Sequence, residues 1–134
     1  MLAEQTSANA LRGPVALVAI LFVGYTLLSV AGIVLVKKWL PEAQTDVGAG
    51  RWNTAPVWWS ALGATAYVSS FLLWMVLLTR APLSVAYPVA VGATLCLTLV
   101  ASLWLFKERP TAVQLLGSAF VLLGIALIGS GLRR

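Results

Sequence analysis

Histidine is absent from the 134 residues, cysteine occurs once, and Asp and Glu together number four. Each scarcity removes a chemistry. Without histidine there is no Ser-His-Asp triad and no ordinary zinc ligand set. Glu4, Glu42, Asp46 and Glu108 are scattered among the termini and connectors, which excludes the paired carboxylates of a glycoside hydrolase. Cys96 lies alone inside an apolar run, so no disulfide framework exists and the redox compartment stays open. No glycine-rich nucleotide loop of the Walker type is present. Neither a metal nor a cofactor is expected, and the chain does not read as an enzyme.

Apolar residues are what the chain has in quantity. They make up 60% of it against 10% charged, with a mean hydropathy of +0.95. A small globule has too little interior to hide so much apolar surface. All thirteen charged residues fall outside four uncharged runs, Gly13–Val36, Trp52–Thr79, Ala81–Phe106 and Pro110–Leu132, of 24, 28, 26 and 23 residues. A helix needs about 20 residues to cross roughly 30 Å of hydrocarbon. The pattern predicts an all-α integral membrane protein, one domain over 1–134 with four transmembrane helices at about 13–36, 54–79, 82–106 and 111–132. The opening "MLAEQTSANALRG" lacks the basic-then-apolar order of a signal peptide, so the first span is expected to be retained. Between the first two spans, Pro41, Gly48 and Gly50 argue against a continuous helix and predict an interfacial loop over about 37–53. Arg80, Ala81 and Pro82 make a tight hairpin. In "KERPT", Thr111 is placed to cap the last helix while Gln114 reaches back to its amide.

The formal charge of +5 decorates membrane edges, which points to lipid headgroups rather than nucleic acid. Arg12, Arg80, Arg133 and Arg134 mark one side, and Lys37, Lys38, Arg51, Lys107 and Arg109 the other. That near balance gives the positive-inside rule little to act on. Trp39, Trp52, Trp58, Trp59 and Trp104 gather near the second side, and Trp74 lies towards the first. Two readings stand: an interfacial aromatic belt, or a portal where rings stack on sugar faces beside cations that hold a phosphate.

Polar residues recur at helical spacing inside the spans. Tyr25, Ser29 and Gly32 share a face of the first. Ser60, Gly63, Tyr67, Ser70 and Trp74 share one of the second, and Ser84, Tyr87, Thr94, Thr98 and Ser102 form a stripe on the third. Such residues either let helices pack closely or line a shared groove that suits hydroxyl-rich cargo and carries no fixed charge. Gly117, Gly124 and Gly131 recur every seven residues in the last span, which suits close packing within the bundle or against another subunit. Four short helices enclose little room, so a path between two subunits is expected. Pro88 leaves the carbonyl of Ser84 without its amide partner. With Gly92 one turn on, the segment reads as a hinge beside a cavity or as a static kink.

Taken in order, "LLSVAGIVLVKK", "PLSVAYP" and "ERPTAVQLLGSAFVLLGIALIGS" resemble the small four-helix branch of the drug/metabolite transporter superfamily. Within it, the chain is most similar to the aminoarabinose–phosphoundecaprenol flippase subunits of the ArnE/ArnF type. The family's Leu-Ser-Val-Ala-Gly motif falls on Leu28 to Gly32, with its basic residue at Lys37. Its Ala-Tyr-Pro element falls on Ala86, Tyr87 and Pro88, its acid on Glu108, and its last-helix glycines on Gly117 and Gly124. The likeness runs from about Gly13 to Ser130. The related small multidrug resistance proteins depend on a glutamate in the first helix, where this chain has Ser29. Proton-coupled cation antiport needs a buried carboxylate that exchanges proton for substrate. No span here contains an acid.

The resemblance implies a flippase for a sugar carried on a polyprenyl phosphate, in the bacterial inner membrane, working as a homodimer or as a heterodimer with a similar subunit. Lys37, Lys38, Arg51, Lys107 and Arg109 are the candidates for its phosphate. Tyr25, Ser29, Ser60, Tyr67, Ser84, Tyr87, Thr94 and Thr98 are the candidates for its groove. Two other readings stay open: a non-transporting membrane scaffold, and drug or metabolite efflux.

Overall fold

The computed structural model describes residues 2–131, and their side chains from 15 to 128. These residues form four helices, α1 (Leu2–Gly48), α2 (Ala55–Leu78), α3 (Leu83–Trp104) and α4 (Ala112–Gly131), with no strand among them. Three are long and apolar enough to cross a membrane: α1 from Val15 onward, α2 and α3. The apolar part of α4 that is described, Ala112–Ile128, is shorter. Large apolar side chains cover the outward faces, Leu72, Phe120 and Trp104 among them. Water disfavours such a surface, whereas hydrocarbon suits it and helices keep their backbone polar groups satisfied there. The protein is an all-α, multi-pass membrane protein.

One expectation is overturned. Residues 37–48 are not a loop: α1 runs straight through Pro41 to Gly48. Proline removes a single amide, the one that would bond the carbonyl of Lys37. Lys37 follows the uncharged run and is exposed, so water can serve that carbonyl. The carbonyl of Pro41 in turn accepts a 3.1 Å bond from the Thr45 hydroxyl. The stop signal lies further on. Gly50, at φ +75°, takes the left-handed conformation that closes a helix end. Its N–H donates to the Val47 carbonyl at 2.9 Å, and the Arg51 N–H donates to that of Asp46 at 2.8 Å, the paired bonds of a Schellman turn. At the start of α4, Thr111 and Gln114 exchange reciprocal bonds of 2.9 and 3.3 Å, the capping box expected from "KERPT".

Glycine decides how closely α1 and α2 approach. A Cβ on Gly32 would sit 2.8 Å from the Gly63 carbonyl oxygen and 2.8 Å from the Tyr67 nitrogen, and one on Gly63 would sit 2.7 Å from Leu35 Cβ. The backbones touch where no side chain fits between them, the packing by which membrane helices gain dispersion contact. Around this crossing Thr26, Ser29, Val30, Ser60 and Ser70 are buried. Thr26 and Ser70 return their hydroxyls to the Phe22 and Tyr67 carbonyls at 2.8 and 2.6 Å. The other pair is looser. Gly92 of α3 lies beneath Ile125 of α4, whose Cδ1 would be 3.3 Å from an added Cβ. Among the described residues α4 packs on α3 alone.

Candidate functional site

On α1, Tyr25, Ser29, Gly32 and Val36 follow steps of four, three and four and so form one stripe, with Lys37 next in the chain after its last member. Tyr67, Ser70 and Trp74 of α2 and Tyr87 of α3 meet the upper part of that stripe around a cavity of about 380 Å³. Its wall is aromatic. The rings of Tyr25 and Trp74 lie 5.2 Å apart, tilted by 37°. Those of Trp74 and Tyr87 meet edge to face at 6.3 Å, within the range where ring pairs attract. The hydroxyls of Tyr25, Ser29, Tyr67, Ser70 and Tyr87 are distributed through this wall, and no acid lines it. Tyr67 and Val68 also line a second cavity of about 420 Å³, which follows Gly32, Ile33 and Val36 down to Lys37. One groove thus runs along α1 and α2 from Trp74 to Lys37.

At its end the charge is organised. Lys37 pairs with Glu108 of the α3–α4 connector, and the Ser102 hydroxyl donates to the other oxygen of that carboxylate. The Glu108 N–H donates to the Ser102 carbonyl at 3.1 Å. Lys37 also places its ammonium 4.6 Å from the centre of the Phe106 ring, a cation–π contact. The connector folds back to make this possible: Lys107 sits at φ +52°, a left-handed conformation that costs a non-glycine residue energy. The hydrogen bond from Lys37, then that from Ser102, hold the Glu108 carboxyl below its ordinary range. Ser102, Glu108 and Arg109 face a cleft of about 820 Å³ between α3 and α4, which also meets Gln114 and Ser118. Val91 borders both this cleft and the aromatic cavity.

Of the groove residues expected from sequence, Tyr25, Ser29, Tyr67 and Tyr87 come together. Ser84 joins Pro88 in a shallow recess that shares Trp74 and Tyr87. The others are elsewhere. Ser60 is buried off the cavities described here, and its hydroxyl makes no bond among the described residues. Thr94 bonds back to the Ala90 and Val91 carbonyls at 2.8 and 3.1 Å, and Thr98 is exposed.

The five cations do not form one cluster. Arg51 is held by Asp46 at 2.6 Å, beyond the helical extension. The nine helical steps from Lys37 to Asp46 span about 14 Å at ~1.5 Å each. Lys38 lies 5.0 Å over the Trp39 ring. Lys107 and Arg109 are exposed, without an ion-pair partner among the described residues. Gly117 and Gly124 face open space, and the surroundings of Gly131 lie outside the described residues. Three residues here lie outside the expected set. Ser70 and Trp74 belong to the polar rhythm of α2 but not to the groove candidates. Glu108 was noted for its place before the last helix without its partner, because the pairing spans 71 residues.

Residues 7–130 match the EamA-like transporter family. The chain is 32% identical over 119 residues to a protein of Aeromonas hydrophila named probable 4-amino-4-deoxy-L-arabinose-phosphoundecaprenol flippase subunit ArnF, covering 85% of this chain and 81% of that one. It is 32% identical over 110 residues to the corresponding ArnE subunit of Aeromonas salmonicida, covering 82% and 95%. A third relative, the ArnE subunit of Serratia proteamaculans, is 30% identical over 115 residues, covering 81% and 96%. No solved structure matches the chain.

Proposed function

The chain belongs to the EamA-like transporter family, and we propose that within it the protein moves a sugar linked to a polyprenyl phosphate across the bacterial inner membrane. It is a transporter and not an enzyme. The observation that carries the finer reading is the acid-free cavity of hydroxyls and rings, continued past Tyr67 and Val68 by an apolar stretch that reaches Lys37. Phosphate and sugar hydroxyls lose water on entering hydrocarbon, at a large free-energy cost. Tyr25, Ser29, Tyr67, Ser70 and Tyr87 replace part of that hydration, and the Trp74 face offers a stacking surface for the ring. The prenyl tail stays in lipid throughout. Lys37, Lys107 and Arg109 stand at the mouth for the phosphate. Cations at the entrance with none along the path let an anion arrive without trapping it. The matched relatives are named as flippase subunits, and α4 leaves Gly117 and Gly124 uncovered. Both observations support work with a second four-helix subunit of the same kind.

Proteoliposomes with a fluorescent sugar on a short prenyl phosphate test this reading, using an impermeant quencher to count each leaflet. The expected result is exchange between leaflets that Tyr87→Ala slows while protein insertion stays unchanged. Equal rates in protein-free vesicles would remove the flippase assignment. Concentration of cationic dyes driven by a pH difference would replace it with efflux.

A further inference from the structure

We propose that Glu108 is a resident counter-ion of the headgroup site. It occupies the Lys37 ammonium in the empty protein and yields it to a phosphate ester when one arrives. The inference rests on the phosphate mouth proposed above and adds a residue of opposite sign to it. A carboxylate at an anion site is otherwise an obstacle, since it repels the ligand it stands beside. Here the geometry gives it a purpose. Glu108 meets Lys37 with one oxygen and accepts from Ser102 with the other, so the carboxylate already fills the place of a bidentate oxyanion. It does so where the groove along α1 and α2 ends and the cleft holding Arg109 begins.

The exchange is inexpensive because the pair is half-exposed, with 49% and 45% of the two side chains accessible. Exposed pairs gain little and are screened by salt. A buried pair would be too costly to separate. The exchange also reaches beyond the two charges. Among the described residues the rest of α4 packs only on α3, and the connector that leads into it is tied to α1 through Lys37 and Glu108. Lys107 is held left-handed beside that tie, so its release lets the backbone relax. Arrival of a phosphate at Lys37 therefore frees the connector, and with it α4, from the α1–α2 pair.

The test uses the full chain with Cys96→Ser, in nanodiscs, with spin labels at Gln44→Cys on α1 and Val113→Cys on α4. The probes are farnesyl phosphate, farnesol and inorganic phosphate. In the parent, farnesyl phosphate lengthens the spacing between the labels and farnesol leaves it unchanged. Lengthening by inorganic phosphate at equal concentration supports the same exchange with free phosphate as the ligand. Glu108→Gln shows the long spacing without ligand and binds farnesyl phosphate roughly two- to fivefold more tightly, the range expected of an exposed pair. Ser102→Ala shifts both readouts in the same direction with no change of charge, which a merely repulsive Glu108 would not produce. Lys37→Gln loses most of the binding. Unchanged or weaker binding in both Glu108→Gln and Ser102→Ala overturns the exchange, as does a spacing that no anion alters. Lipid translocation is measured separately. Flipping without these shifts would sink the counter-ion alone, and the shifts without flipping would sink the transport reading alone.

Discussion

The two halves of the bundle are built from similar ingredients and pack in different ways. In α1 and α2, Gly32 and Gly63 face each other, so each backbone fills the space the other leaves. In α3 and α4, Gly92 receives the flexible end of Ile125, while Gly117 and Gly124 meet nothing within 4 Å. A cleft of about 820 Å³ lies between them. Contact between two backbones cannot adjust without moving whole helices, whereas contact through a side-chain tip adjusts by changing rotamer. The first pair thus forms a fixed wall that carries the groove. The second is free to shift or to accept a partner. The halves also pack directly, α1 and α2 against α3, and Trp74 and the Lys37–Glu108 pair are two of the contacts that join them.

The contrast can be broken most severely at Gly63. Gly63→Ala sets a methyl 2.7 Å from Leu35 Cβ and 3.0 Å from the Gly32 carbonyl. The resulting overpacking is expected to cost about 3 kcal/mol, read as a fall in the unfolding midpoint in detergent. Trp74→Ala removes two ring contacts worth about 0.5–1.5 kcal/mol each. It should lower the same midpoint less, while labelled sugar-lipid exchange falls more than stability does. Thr111→Ala removes one half of the capping box at α4, a change of about 1 kcal/mol. Hydrogen exchange should speed in the first turn of α4 and leave α1 and α2 unaltered. Gly92→Ala sharpens the comparison because it is the same substitution as at Gly63, made in the loose pair. The 3.3 Å approach of Ile125 Cδ1 is relieved by a rotamer change, so the expected cost is under about 1 kcal/mol. Acidification has the smallest effect. Glu108 has a folded value depressed below 4.5, so its contribution is present above the unfolded value and lost as pH falls through the folded one. The α1-to-α4 label spacing should be constant at neutral pH and lengthen only below that ordinary glutamate range.

Much of this was legible along the chain. Charge-free runs place α2, α3 and α4, because hydrocarbon tolerates apolar helices and little else. Thr111 and Gln114 announce the start of α4 since a capping box is a local event. Four of the eight groove candidates, Tyr25, Ser29, Tyr67 and Tyr87, line one cavity, and they lie on helix faces that periodicity reveals. Thr94 shares such a face and still turns its hydroxyl to its own helix, a choice of rotamer that spacing does not express. Pro41 misled for a related reason. A proline forfeits one bond, and whether that ends a helix depends on what else serves the orphan carbonyl. Gly50, two residues past the end, was the informative punctuation.

Composition and order alone determined that this is a membrane bundle without an intramembrane acid. Both properties follow from the cost of charge in hydrocarbon, which acts on every residue separately. The tertiary structure alone decided that Gly32 meets Gly63, that Trp74 sits between Tyr25 and Tyr87, and that Lys37 finds Glu108. Those pairings join residues far apart in the chain. They depend on how the helices cross and which rotamers the crossing permits, and that selection is made only when the faces come together.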